Sequence, residues 1–284
     1  MNNIIKIENL SYVYSAGTPF EKKALDDINI EIQEGEFLGI IGHTGSGKST
    51  LMQHFNGLLK PTSGKVYFSQ KDIWQKKDKK HLRFEVGLVS QYPEHQLFEE
   101  TVYKDIAFGP TNMKLSKEEI DKRVHAAIDF VGLDEEILKK SPFDLSGGQK
   151  RRVAIAGVVS MNPKVLVLDE PTAGLDPKGR DDILEHIQNY HKTNKSTVII
   201  VSHSMEDIAR VASKVLVMNR AKIEMYDTVD KIFIQSKRLE EIGLSIPQIT
   251  KVFNKLRQKG YPAAQGIYTN EQAVAEVLRL KSLI

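Results

Sequence analysis

One nine-residue stretch limits the fold more than any other: Gly42-His43-Thr44-Gly45-Ser46-Gly47-Lys48-Ser49-Thr50. It follows the apolar run Glu36–Ile41 (EFLGII) and leads into LMQHFNGLL, so it joins a predicted strand to a predicted helix. A phosphate-binding loop requires that context, and a chance Gly/Ser turn would lack it. The glycines let the backbone turn until its N–H groups converge on a polyphosphate. The helix that follows aims roughly half a positive charge at the same anion. In such a loop Lys48 reaches the terminal phosphates and the Ser49 hydroxyl holds Mg²⁺.

A phosphate loop needs a carboxylate to complete its metal site, and Val165-Leu166-Val167-Leu168-Asp169-Glu170 supplies one at the end of an apolar strand. Ligands of open α/β sheets sit at the carboxyl ends of strands, so both motifs should open onto one crevice. Asp169 is expected to hold the metal. Glu170, next along the chain, is free to orient and deprotonate an attacking water. Gly87–Ser90, Val198–Ser202 and Val215–Met218 read as further strands, several without alternation, as strands buried on both faces do. Helical signals lie between them. Ser116 and Glu119 have capping spacing before Ile120, Val124, Ala127, Ile128 and Val131, and Gly132 closes that helix. Ser204 and Asp207 repeat the spacing. The alternation predicts an α/β fold, a P-loop NTPase built on a parallel sheet.

The chain has 284 residues, about twice the common domain size of roughly 100–150. The pattern changes near Ile223–Asp230. Beyond it, Ser245 and Pro247 open a helix carrying Ile249, Val252, Phe253 and Leu256 on one face, closed by Gly260. Thr269 and Gln272 cap another, with Val274, Val277 and Leu278 together. The expected organisation is a nucleotide-binding domain over residues 1–228, with a helical subdomain near 92–160, and a helical appendage over 229–284. With no cysteine, thiolate metal sites and nucleophiles are excluded. The opening MNNIIKIENL has no signal-peptide pattern. No apolar run exceeds seven residues, far short of the ~20 that span a bilayer. A net charge of +3 gives no electrostatic footprint for nucleic acid. The lysine-rich Lys76–Arg83, interrupted by Asp78, reads as a solvated loop face.

Leu145-Ser146-Gly147-Gly148-Gln149 makes a second Gly/Ser turn at a predicted helix N-terminus. With GHTGSGKST, Gln91, VLVLDEPTAGLD and His203 in that order, residues 4–225 resemble the nucleotide-binding subunit of an ABC transporter. The resemblance implies ATP and Mg²⁺ as ligands. It implies adenine stacking by Tyr14, whose competing reading is a core strand aromatic. Gln91 would touch the metal and sense the γ-phosphate, and His203 would hydrogen-bond that phosphate. Ser146, Gly147, Gly148 and Gln149 would meet the ATP held by a facing subunit, with Asp176 linking the paired sites.

A narrower resemblance lies in Gln91–Val102 (QYPEHQLFEETV) followed by AFGP, in HSMEDIARVASKVLVM and in LEEIGLSIPQ. These are similar to the ATPases of energy-coupling factor transporters, importers of vitamins and transition-metal ions, and most similar to the second ATPase of the pair. The resemblance implies a second ABC ATPase as partner, a different chain or a second copy. It also implies an integral membrane scaffold, a membrane substrate-binding subunit reached through the scaffold, and a place on the cytoplasmic face of the membrane. Two positions depart from the pattern. Many relatives have two adjacent acids at Glu94-His95, leaving the contact to a scaffold arginine to Glu94 alone. Asn219-Arg220-Ala221-Lys222 lacks the usual hairpin glycine. The C-terminal helices would help hold the ATPases together or pack on the parent domain. The rival class is a soluble ABC ATPase acting on nucleic acid or the ribosome; the single cassette and the absence of sustained heptads count against it.

Overall fold

The computed structural model describes residues 2–75 and 80–282. Two sheets face each other. β1 (Asn3–Tyr14), β2 (Lys22–Gln33), β4 (Ser63–Phe68) and β5 (Lys71–Asp72) form an antiparallel sheet in the order β2-β1-β4-β5. The second sheet has the order β10-β9-β3-β8-β7-β6, with β3 (Phe37–Gly42), β6 (Val86–Val89), β7 (Val165–Asp169), β8 (Thr197–Val201), β9 (Lys214–Asn219) and β10 (Lys222–Thr228). Its strands run parallel except β10, which returns antiparallel along β9.

The apolar runs behave as strands covered on both faces. Every residue of β3, β7 and β8 is buried. Because side chains alternate faces, Leu166, Leu168, Val198 and Ile200 enter one core while Val165, Val167, Ile199 and Val201 enter the other. The second core lies under the antiparallel sheet and includes Leu51, Met52 and Phe55 of α1 (Lys48–Phe55). The first lies under a helical layer of α3 (Val102–Asn112), α4 (Lys117–Phe130) and α5 (Gly147–Val159). α4 is capped by Ser116 and buries Val124, Ala127 and Ile128 as its spacing predicts. α6 (Pro177–Asn194) and α7 (Met205–Val211) add Ile183, Leu184, Ile187, Met205 and Ile208 to the same core.

The strand runs read from the sequence begin at Glu36, and before it only the competing reading of Tyr14 implies a strand, yet both β1 and β2 lie there. Asp27–Ile32 alternates exposed Asp27, Asn29 and Glu31 with buried Ile28, Ile30 and Ile32, the pattern of a strand with one face in water. Of Lys76–Arg83, residues 76–79 lie outside the described residues. From Lys80 the chain is helical in α2 (Lys80–Glu85) rather than looped, because Leu82 packs against the second core.

The hairpin between β9 and β10 turns without glycine. Arg220 and Ala221 take φ of 46° and 66°, the left-handed pair a tight hairpin needs. The phosphate loop stabilises this turn: the Ala221 N–H donates to the Ser46 carbonyl, and the Ala221 carbonyl accepts from Asp26.

Past β10, α8 (Val229–Phe233) and α9 (Ser236–Glu241) pack into the first core through Val229, Ile232, Phe233 and Leu239, as do Leu244 and Ile246 further on. Only α10 (Gln248–Gln258) and α11 (Asn270–Lys281) build a small core of their own around Phe253, Ala263 and Ala273. On α11 the apolar face of Val274, Val277 and Leu278 points to solvent; Ala273 and Glu276 are its buried residues. Among the described residues no helix is long and apolar enough to cross a membrane.

Candidate functional site: a nucleotide cleft at the sheet edge

β3, β8, β7 and β6 are neighbours in one parallel sheet, so their carboxyl ends share one edge. β3 ends at Gly42 and opens the phosphate loop. β7 ends at Asp169. Gln91 and His203 each lie two residues beyond their strands, β6 and β8. With strands about 4.8 Å apart, these side chains must converge. Lys48, Ser49, Thr50, Gln91, Asp169, Glu170 and His203 line one cleft with Thr44, Gly45 and Gly47.

Gly47 stands at φ 106° before the first turn of α1, and a methyl group there would overlap the Ala24 carbonyl. Lys48 is 6% exposed, and its ammonium donates to the carbonyls of Gly42 and His43, each at 2.7 Å. Burial pushes its pKa down, opposed by the carboxylates of Glu170 and Asp169. Gly42, His43 and Ser46 shape the loop from behind: His43 Nε2 lies 2.7 Å from the Ile242 carbonyl, on the C-terminal side of the loop. Gly42 backs against Met218, where a Cβ would collide.

The Ser49 hydroxyl donates to Asp169 at 3.2 Å. Burial raises the Asp169 carboxyl above its usual range, offset in part by the Ser49 hydrogen bond. A hydroxyl and a carboxylate converging beside a side-chain amide are oxygen donors of the kind that suit Mg²⁺, which keeps waters and phosphate oxygens for its remaining positions. Glu170 is held on both carboxylate oxygens. His203 Nε2 is 2.8 Å from Oε1, and the Gln91 amide donates to Oε2 at 3.4 Å.

Tyr14 ends β1 at the rim of the cleft, 39% exposed, so it is a strand residue outside the core. Its hydroxyl lies 3.2 Å from the Thr50 hydroxyl, and its ring packs edge-on against Tyr12 with centroids 4.8 Å apart. Lys22, paired with Tyr14 across the β1–β2 ladder, also lines the cleft, as does Ala24. Both escape a reading that misses β2, although the alternation of Asp27–Ile32 would have revealed the strand.

Ser146, Gly147, Gly148 and Gln149 lie elsewhere. Ser146 and Gln149 form a capping box at the start of α5. Ser146 and Gly147 are exposed, and nothing lies within 4 Å of where a Gly147 side chain would stand. None of the four lines the cleft. Asp176 caps α6 through the Gly179 N–H. Glu94, expected to face a scaffold, keeps a side chain 21% exposed with Oε2 4.0 Å from Arg151.

A family model described as ABC transporter matches residues 25–173. The energy-coupling factor transporter ATP-binding protein EcfA2 of Clostridium acetobutylicum is 59% identical over 278 residues, covering 97% of each chain. That of Caldanaerobacter subterraneus subsp. tengcongensis is 57% identical, over 97% of this chain and 96% of the relative. Among solved structures, cbiO1 from Clostridium perfringens, described as part of the ABC transporter complex cbiONQ, superposes with TM-score 0.75 at 41% identity, over 89% of this chain and all of that one. The dimeric bacterial ABC transporter cassette MJ0796 gives TM-score 0.72 at 31% identity, over 79% and 98%. With the phosphate loop, the acidic strand end and the second Gly/Ser turn in their family places, the chain belongs to the ABC transporter ATPases, among the energy-coupling factor ATP-binding proteins.

Proposed function

We propose that this ATPase drives an energy-coupling factor importer for vitamins or transition-metal ions, paired with a second ATPase beneath a membrane scaffold on the cytoplasmic face. The observation that carries the reading is a division of the catalytic parts. Lys48, Ser49, Gln91, Asp169, Glu170 and His203 share one cleft, while Ser146–Gln149 lie outside it with open space beside Gly147. A second ATPase facing the cleft would bring its own Gly/Ser turn to the nucleotide, and this chain's turn would serve the partner's.

In the closed pair, Tyr14 stacks on the base. Lys48 and the N–H groups of the phosphate loop not already paired within it hold the phosphate oxygens and take up charge as the bond between the β,γ-bridging oxygen and the γ-phosphorus breaks. Ser49 and Asp169, with Gln91, would hold Mg²⁺, which supplies charge neutralisation on the phosphates when bound. Glu170 orients the attacking water and accepts its proton as the new P–O bond forms. His203 holds the γ-phosphate, and Asp176 links the paired sites.

The docking surface proposed for the scaffold surrounds the short helix Pro93–Gln96. Tyr92, Phe98 and Phe108 are exposed at 56%, 57% and 48%, and the two phenylalanine rings touch edge-on. Adjacent aromatics left in water mark an interaction site. The outward Val274, Val277 and Leu278 of α11 support a contact between the paired ATPases. Phe98→Asp should reduce recovery of membrane subunits about tenfold or more, by analogy with buried aromatic anchors, with nucleotide affinity of the isolated chain unchanged. Equal recovery would remove this surface from docking.

A tagged pull-down from detergent-solubilised host membranes, with mass spectrometry of every subunit, tests the whole reading. Recovery of a second ABC ATPase, a scaffold and small variable membrane proteins is expected. Ribosomal proteins or nucleic acid without any membrane protein would overturn it.

A further inference from the structure

The turn that carries Glu170 is strained. Glu170 has φ 52°, a left-handed conformation that a β-carbon disfavours and that persists only where surrounding contacts hold it. One contact is internal to the sheet: the Glu170 N–H donates to the Val201 carbonyl at 2.9 Å. The others come from a helix remote in sequence. Arg151, in the second turn of α5, donates Nη2 to the Glu170 carbonyl and Nε to the Pro171 carbonyl, the latter at 3.0 Å. Two successive carbonyls of the turn are therefore fixed by one planar, rigid guanidinium.

This arginine is expensive to keep. Its side chain is 6% exposed, and an interior cation needs compensation. Two carbonyl acceptors supply part of it. The nearest opposite charge is the Glu94 carboxylate, with Oε2 4.0 Å from Nη1. That oxygen is itself buried and has no hydrogen-bond partner among the described residues. A buried cation and a buried, unpartnered carboxylate oxygen thus face each other just beyond hydrogen-bond range. One belongs to the helix behind the Gly/Ser turn, the other to the loop between β6 and α3.

We propose that Arg151 is a positioning residue for ATP hydrolysis: its guanidinium holds the strained turn that aims Glu170 at the attacking water, and Glu94 sets that guanidinium. Displacement of the Pro93–Gln96 segment is then transmitted through Glu94 and Arg151 to the backbone of Glu170. The link is backbone-directed, so it alters where the carboxylate points without touching the nucleotide. It rests on the reading of Glu170 as the base.

Steady-state ATP turnover of the full chain with its co-purifying subunits tests the link, with nucleotide binding and melting temperature measured alongside. Arg151→Lys keeps the charge but loses the fork, since one ammonium cannot reproduce the planar set of donors. The expected result is a kcat lower by about 10- to 100-fold, the scale of a small misplacement of a catalytic group. KM and nucleotide affinity should stay within about twofold, as for loss of an interaction made only in the transition state. Glu94→Gln should lower kcat less, and should add nothing in the Arg151→Lys background, since both act through one link. Parental kcat in Arg151→Lys, with Glu170→Gln inactive, would overturn the positioning role alone. Additive losses would remove Glu94 from it. If Arg151→Lys fails to fold, parental kcat in Glu94→Gln overturns the proposed link. Full turnover in Glu170→Gln would instead sink the reading of the base on which the inference stands.

Discussion

Glu170→Gln is expected to lower ATP turnover by about 10²–10⁴-fold, the range a positioned general base supplies, while ATP binding survives. The geometry explains why the two effects separate. The Glu170 carboxylate is held by His203 at 2.8 Å and by Gln91 at 3.4 Å, two residues outside the phosphate loop. Asp169 sits one residue back, hydrogen-bonded to Ser49, and in the proposed reading serves the metal. The substitution keeps the side chain's size and one of its acceptor oxygens, so the turn and the fold are undisturbed. Of the two carboxylates that line the cleft, it removes the one not bonded to Ser49, which is the proposed base. In energy the loss amounts to about 3–5 kcal/mol of barrier. Single-turnover hydrolysis, measured beside equilibrium binding of ATP, checks it. A variant that hydrolyses at the parental rate would place the base elsewhere in the cleft.

The legible part of this molecule was the part in which chemistry constrains residue type. The phosphate loop, the acidic strand end and His203 need particular side chains at the ends of buried parallel strands. Those strands are continuous apolar runs that stand out without periodicity analysis. Helix caps were legible for a related reason: Ser116, Ser204 and Thr269 each accept from the backbone N–H three residues on, a demand met locally. The antiparallel sheet was not seen, although Asp27–Ile32 alternates cleanly, and with it went Lys22 and Ala24 at the rim of the cleft. Arg151 was hidden for a different reason. In KRRVAIAG it is one of two adjacent arginines at a helix start. Only the packing of α5 against the turn after β7 buries one and leaves its neighbour Arg152 half-buried. Val274, Val277 and Leu278 were correctly grouped, but periodicity gives the stripe and not its direction. The stripe faces outward because the inward face of the helix is set by Ala273 in the small core and by Glu276, which accepts from the Ala264 N–H.

Lys48→Met should weaken what Glu170→Gln preserves. The Lys48 ammonium is buried and lies against the Gly42 and His43 carbonyls at 2.7 Å each, so it is already fixed at the centre of the loop's curve. A phosphate entering the loop exchanges two neutral acceptors for charged oxygens, and burial, which lowers the ammonium's pKa, makes a negative ligand its best compensation. Hydrogen bonds to charged groups contribute about 1.5–3 kcal/mol each, so losing one or two predicts roughly 10- to 10⁴-fold weaker ATP binding. Methionine is of similar length and carries no charge to desolvate, but it leaves the Gly42 and His43 carbonyls without their donor, so the melting temperature of the nucleotide-free chain is measured beside the affinity. Arginine should not rescue binding, because a planar fork cannot replace a compact ammonium in a loop whose carbonyls close around it. Titration with ATP checks the result, and unchanged affinity in Lys48→Met would remove the lysine from phosphate recognition. Together the two variants would divide the cleft: Lys48 would hold the nucleotide in either stage of the cycle, and Glu170 would act only as water attacks.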